Sequence, residues 1–397
     1  MPRKSLFLVS FLLASSFIWY YTIRALFIDL TASFPLNESI LINGTYYAAI
    51  IVSSICSAIL AGRIRRIKVL LYSMVLGCIA SSMPFLFTGT DVGNLSVMAL
   101  LAGISFGVGM PSCLALFADS TDFGNRGKIS GITFLATNLG AFALAFLGGG
   151  ALTILALSLA LRIAGLCTTL SLKPTQHNVE STKNTSFRQI FWNRTFLLYA
   201  LPWLIFVLVD RFEVAYFENF FEKSLFDTMT VVEPGVGTIF VFLGGLLADR
   251  IGRKRILICG FVALGIGYAS IGLAPYVDAA RYLYIFVDGI AWGIFMVLYL
   301  LILWGDLSVP GENAERYYTI GSLPFFLTDL LILLSGSYVR GIPGASAYAI
   351  FSLASFFLFL AVLPLMYAPE TLPEKRIKER ELKGYVEKAK KTKEKYT

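Results

Sequence analysis

The sequence predicts an all-α membrane protein, with twelve transmembrane helices arranged as two pseudo-symmetric six-helix bundles. Three observations carry that expectation. Hydrophobic residues make up 57% of the chain and charged residues only 15%, whereas a soluble domain carries about a quarter charged residues. The apolar residues fall in runs of roughly 20, the length that crosses a bilayer core of about 30 Å as a helix. The second half of the chain also repeats features of the first at an offset near 187 residues.

The first span, 5–29, follows the basic start "MPRKS" and stays apolar to about Leu30. That is too long for the core of a signal peptide, and further spans follow, so it reads as a membrane helix. Runs at 40–61, 69–88, 95–117, 128–148 and 152–172 complete an N-terminal bundle, 1–172. The polar stretch 173–194, "KPTQHNVESTKNTSFRQIFWNR", reads as a cytoplasmic linker. A C-terminal bundle, 195–367, then holds runs at 195–217, 230–248, 256–275, 282–304, 317–339 and 346–367. Residues 368–397 form a charged tail, expected as a helix on or near the membrane surface.

Basic residues set the expected orientation. Alternate connections are rich in them: Arg63, Arg65, Arg66 and Lys68; Arg126 and Lys128; Lys173, Lys183, Arg188 and Arg194; Arg250, Arg253, Lys254 and Arg255. The intervening connections hold chiefly Lys223, Arg281 and Arg340. Both termini are therefore expected in the cytoplasm, with the protein in the cell membrane. The net charge of +8 follows this pattern, so it reads as topology rather than as a nucleic-acid surface. Sequons at Asn37, Asn94, Asn184 and Asn193 fall on both sides and decide nothing about glycosylation. The five cysteines (Cys56, Cys78, Cys113, Cys167, Cys259) lie inside apolar runs without metal or disulfide spacing and read as small buried hydrophobes.

The repeat is specific. At an offset of 187, "LAGRIRRIKVL" (60–70) lands on "LADRIGRKRIL" (247–257), matching Leu60, Ala61, Arg63, Ile64, Arg66 and Leu70 to Leu247, Ala248, Arg250, Ile251, Arg253 and Leu257. At 186, "GISFG" (103–107) lands on "GIAWG" (289–293), and at 190 Arg126 and Gly131 land on Arg316 and Gly321. Two six-helix halves from one ancestral unit are an architecture typical of secondary transporters.

The stretch "GGLLADRIGRKRIL" (244–257) resembles the loop signature of the major facilitator superfamily, at Gly245, Leu247, Ala248, Asp249, Arg250, Gly252, Arg253, Lys254 and Leu257. The other place for that signature, between spans 2 and 3, holds a degraded copy, with Gly62 in the aspartate position and Arg65 in the glycine position. "NRGKISG" (125–131) is similar to the family's R-G-x-x-x-G element. The resemblance implies that Gly245, Asp249, Arg250, Gly252, Arg253 and Lys254 form a gating latch closing the cytoplasmic side, and that only this second copy carries an acid-based latch. An acid at the end of span 8 faces the negative end of its own helix dipole. It is comfortable only beside Arg253 or at a helix N-terminus across the gap.

Ionisable groups within a bilayer are costly and usually face a cavity or a partner. They cluster here: Arg24 in span 1; Asp210, Arg211 and Glu213 in span 7; Asp288 in span 10. The resemblance implies that spans 1, 4, 7 and 10 line a central cavity. Arg24 and Arg211 lie 187 apart, so they are expected at equivalent depths, facing one another across the pseudo-two-fold axis. Two guanidinium groups there suit a carboxylate or phosphate, and a similar pairing occurs in the family's organophosphate branch. Three nearby acids suit instead a self-satisfied ion network that sets the gate. Both alternatives stand at this point. A buried carboxylate can also carry protons, with Asp288 the first candidate and Asp210 and Glu213 the second. Asn138, Glu233 and Asp329 fall on helices that the resemblance implies join the halves, where interface hydrogen bonding is the expectation. Arg162, midway along span 6, is expected to find a partner inside the N-terminal half.

Marks of particular subfamilies are missing. Span 5 lacks the glycine-proline element of drug–proton antiporters, and span 4 lacks the arginine associated with proton-coupled members. "APET" (368–371) is faintly similar to the sugar porters, but "LSLKPTQ" after span 6 lacks their matching element.

Composition and motifs together predict a secondary transporter working by alternating access, with protons as candidate coupling ion and an organic anion as candidate solute. The alternatives are a proton-coupled carrier of a neutral or cationic solute, such as a sugar or drug-like compound, and a non-transporting signalling or scaffold protein on the same fold. No enzyme is expected, since the sole histidine, His177, lies in the linker and no acid–base constellation surrounds it. No cofactor, metal or nucleic acid is called for, and a monomer in the bilayer is the expected state.

Overall fold

The computed structural model describes residues 3–86, 91–146, 150–172, 185–308, 314–342 and 347–372. Most of the linker (173–184) and of the charged tail (373–397) lies outside the described residues. Twelve helices are long and apolar enough to span a membrane. In chain order they are Arg3–Thr31, Leu36–Leu60, Arg66–Leu86, Val92–Ser120, Arg126–Phe146 and Ala151–Ser171, then Arg194–Phe220, Lys223–Ile251, Arg253–Leu273, Asp278–Leu307, Ala314–Arg340 and Ala347–Tyr367. They are numbered spans 1 to 12. Among the described residues there is no strand.

The expected boundaries shift where polar residues extend a helix beyond its apolar run. Span 8 begins at Lys223 rather than 230, because "KSLFDTM" continues the helix while Leu225 and Met229 still reach the core. Asp91 caps span 4 by accepting from the Asn94 amide at 2.8 Å. Asn193 caps span 7 by accepting from Thr195 and Phe196. Each carboxylate or amide oxygen meets a backbone N–H that the helix start leaves without a partner.

Spans 4 and 10 form the centre: 78% and 72% of their apolar windows are buried within the protein, against 28% for span 5 and 33% for span 8. The other outer helices therefore give much of their surface to lipid. Span 4 packs along span 2, and span 10 along span 8. Here the GISFG/GIAWG repeat acquires a physical cause. A Cβ at Gly103 or Gly107 would stand 2.5 or 2.4 Å from a backbone oxygen of span 2, and one at Gly289 or Gly293 would stand 2.6 or 2.5 Å from a backbone oxygen of span 8. Small residues four apart let these backbones touch. Between the halves, span 5 packs on span 8 and span 2 on span 11.

Span 10 is not uniform. After Phe295 it widens into a π-helical stretch, Met296–Ile302, before an α-helical end, Leu303–Leu307. Every residue from Val297 to Trp304 is buried. Such stretches often accompany functional sites, and this one begins one turn after Trp292 and ends shortly before Asp306.

Candidate functional site

Two groups of charges lie on the inter-half surface, one midway through the bundle and one at the end carrying the basic connections. In the central group, Arg24 of span 1 donates from Nε to the Tyr47 hydroxyl of span 2 at 2.9 Å and reaches Asp329 of span 11 from Nη2 at 3.5 Å. Arg211 of span 7 approaches the same Asp329 oxygen with Nε at 3.0 Å. The two arginines thus meet on one carboxylate rather than facing one another directly. Asp329 lies on a half-joining helix as expected, but it joins the halves through ion pairs. Its side chain is 2% exposed, while Arg24 and Arg211 remain 28% and 16% exposed. Asn138 sits half-buried on span 5 and does not enter this group.

Beside it lies a set of acids inside the C-terminal half. Asp210 accepts from Trp292 Nε1 at 2.6 Å and lies 3.8 Å from Arg211 Nη1. The Arg211 guanidinium also lies over the Trp292 ring at 5.4 Å. Glu213, one turn from Asp210, faces the Tyr268 and Tyr284 rings, and Asp288 faces Glu233 of span 8. Asp210, Glu213 and Asp288 are each at most 2% exposed. Both carboxylate oxygens of Glu213 and of Asp288 are buried without a hydrogen bond. Counting formal charges, Arg24 and Arg211 stand against Asp210, Glu213, Glu233, Asp288 and Asp329, which leaves three negative charges in excess. A buried charge without a partner is costly enough that the group takes up a proton or a cation instead. Among the described residues no three His, Cys, Asp or Glu side chains converge closely enough to hold a metal ion.

At the basic end, Asp249 takes both partners that its position demands. It accepts from the Gly127 and Lys128 amides at 2.9 and 2.8 Å, capping the N-terminus of span 5 in the other half, and lies 3.7 Å from Arg253. Gly245 is required by the same crossing, since its Cβ would fall 2.3 Å from the Gly127 carbonyl oxygen. Gly252 turns the chain at φ +113°. Arg253 pairs with Asp306 at 2.7 Å, and Asp306 also meets Arg126 across the halves. Lys254 donates to the Met366 carbonyl, and the Arg253 and Lys254 amides are capped by Glu370 of "APET" at 2.9 and 3.1 Å. Arg250 is exposed and stands outside this network.

The degraded copy between spans 2 and 3 has no acid of its own at Gly62, but its Arg66 still makes acid contacts. Arg66 pairs with Asp119 within its half and with Glu315 at the start of span 11. The acid missing at Gly62 is replaced by one from the opposite half. The positive-φ turn also moves, to Gly62 itself at φ +85°, so Arg65 need not be a glycine. Asp119, Asp306, Glu315 and Glu370 escaped the motif reading. Asp119 and Asp306 lie 187 apart, as do their partners Arg66 and Arg253, so the repeat held the signal for that pair.

A family model, Major Facilitator Superfamily, matches residues 6–320. No curated protein matches the sequence significantly. Solved structures share the fold at low identity. A bacterial homologue of the iron transporter ferroportin, in an outward-facing state, superposes with a TM-score of 0.72 at 14% identity, over 91% of this chain and 98% of that one. The proton:xylose symporter XylE, bound to 6-bromo-6-deoxy-D-glucose, gives 0.69 at 14% identity over 94% and 97%. The human organic anion transporter MFSD10 (TETRAN) gives 0.68 at 14% identity over 92% and 100%.

Proposed function

Because the chain belongs to the major facilitator superfamily, we propose that it is a proton-coupled secondary transporter, carrying a small neutral or cationic solute past the Arg24–Asp329–Arg211 group. The observation that carries this reading is the acid excess: Asp210, Glu213, Glu233 and Asp288 lie together with Arg211 as their adjacent cation. Protons satisfy that excess without a metal centre. Arg211 is shared between Asp210 and Asp329. A proton on Asp210 releases Arg211 to Asp329 and tightens the tie between halves; loss of the proton divides Arg211 again. Solute passage and proton passage are coupled through that exchange of partners. The basic end faces the cytoplasm of the cell membrane, in keeping with the charge asymmetry of the connections. Asp249, Gly245, Gly252, Arg253 and Lys254 hold that side shut.

A second reading rests on Arg24, whose contact with Asp329 is long and whose side chain is more than a quarter exposed. An organic anion displacing Asp329 would find both guanidinium groups. Thermal stability in detergent, measured against sugars, amino acids, organic cations and organic anions, separates the two. A ligand at a hundred times its Kd stabilises by about 2.7 kcal/mol. Stabilisation by a neutral or cationic compound that survives Arg24→Gln supports the first reading. Stabilisation confined to anions and lost in Arg24→Gln and Arg211→Gln supports the second. With the solute in hand, Asp288→Asn in proteoliposomes is expected to keep solute exchange and lose uphill accumulation driven by a pH gradient. Full accumulation in Asp288→Asn and in Asp210→Asn would sink proton coupling through this group.

A further inference from the structure

Arg162, midway along span 6, is 1% exposed and lies in the interior of the N-terminal half. The expected partner within that half is not a carboxylate. The guanidinium stacks on the Trp19 ring at 3.6 Å, and Nη1 points to the Met74 sulfur at 3.4 Å. Nε and Nη2 are buried without a hydrogen bond. The side chain is held in place. The Trp19 indole N–H donates to Ser81 at 2.8 Å, which fixes the ring, and a Cβ at Gly77 would lie 2.7 Å from Arg162 Nε.

Arg162 lines a small cavity of about 10 Å³, room for a single small guest, between spans 1, 3, 4 and 6, whose walls include Ser16, Phe17, Ser73, Phe106 and Cys113. This cavity is separate from the Arg24–Asp329–Arg211 group. Stacking on an aromatic ring is worth about 2 kcal/mol when desolvated, less than the several kcal/mol it costs to bury a charge. A counter-charge is therefore called for, and the N-terminal half cannot supply one. Its five acids, Asp29, Glu38, Asp91, Asp119 and Asp122, all lie at helix ends or in connections. Alternating access moves each half largely as a unit, so rocking brings no carboxylate to Arg162 either.

We infer that the Arg162 cavity binds one small monovalent anion of the chloride class inside the N-terminal bundle, as a fixed counter-ion to the buried guanidinium. The charge of the site is one, which suits a monovalent guest, and its largely apolar walls disfavour a strongly hydrated polyanion. The Ser16 and Ser73 hydroxyls, which now donate to the Leu12 and Ser105 carbonyls, are the groups able to turn toward the guest.

The test uses the full chain purified in detergent in gluconate buffer, titrated with sodium chloride or bromide at constant ionic strength. Melting temperature and equilibrium dialysis of radiolabelled chloride are the two readouts. The wild type is expected to bind one chloride per chain saturably, with a rise in Tm of about 2 °C or more at saturation. Arg162→Gln is expected to bind at least ten times more weakly, while Arg24→Gln and Arg211→Gln keep the wild-type response. Should Arg162→Gln fail to fold, Arg162→Lys replaces it, with weakened dialysis binding expected. Three results overturn the inference: no saturable chloride binding by the wild type, binding that is unchanged in the Arg162 variants, or binding lost in Arg24→Gln or Arg211→Gln but not in Arg162→Gln.

Discussion

At the residue scale, Asp249 and Asp306 are both buried acids at the basic end, yet their neighbours assign them different weights. Asp249 meets two backbone amides at the start of span 5, with Arg253 farther off at 3.7 Å. An asparagine keeps one acceptor there and loses the charge–dipole term, a change of about 1 kcal/mol. Asp249→Asn is expected to slow turnover while solute affinity stays near wild type; collapse of affinity with normal turnover would reject the latch. Asp306 lies between Arg126 and Arg253, with both oxygens used and no exposure. Asp306→Asn leaves two buried guanidinium groups without their carboxylate, at about 3–5 kcal/mol. Its Tm should fall well below that of Asp249→Asn. Equal melting of the two variants would mean that the buried triad adds no net stability. Asp249 was legible because an acid at a helix C-terminus is anomalous and demands a partner. Asp306, also at the C-terminal end of its helix, lies outside the loop signature and was passed over, although the 187-residue offset to Asp119 held its signal.

At the scale of helices, the crossing of spans 5 and 8 turns on two glycines that touch. A Cβ at Gly245 would fall 2.3 Å from the Gly127 carbonyl oxygen, and a backbone atom cannot rotate away. Gly245→Ala should force the spans apart, weaken the Asp249 cap and cut turnover. Gly235→Ala, ten residues earlier on the same helix and with nothing within 4 Å of its Cβ, is the control that should leave turnover unchanged. Comparable transport by the two variants would mean that the close crossing is dispensable. The existence and order of all twelve helices were legible, because runs of apolar residues at bilayer length have few other uses. The π-helical stretch of span 10 was not. "MVLYLLI" is as apolar as the α-helix around it, and the widening is set by what packs on it. The meeting of Arg24 and Arg211 on Asp329 was half legible: the offset placed the two arginines at one depth, but nothing in span 11 announced which way its acid turns.

At the scale of the whole molecule, the inter-half ion pairs among the described residues share one polarity. Arg24–Asp329, Arg66–Glu315 and Arg126–Asp306 each take the cation from the N-terminal half and the acid from the C-terminal half. Asp249 on the span 5 amides follows the same sense. If the chain is divided between Leu172 and Thr185, the N-terminal piece co-expressed with the C-terminal piece should assemble and co-purify. Two differently tagged N-terminal pieces should not. Co-purification of the N-terminal pieces at the same yield would show that apolar packing alone governs the pairing.

This one-way polarity bears on the history of the duplication. Two identical ancestral units could have paired only with each carrying both signs, so that every contact occurred twice. Here Gly62 stands at the position matching Asp249, and Asp119, the counterpart of Asp306, pairs with Arg66 inside its own half instead of across the halves. The repeat survives in sequence, but the ion pairs between its two copies no longer run both ways.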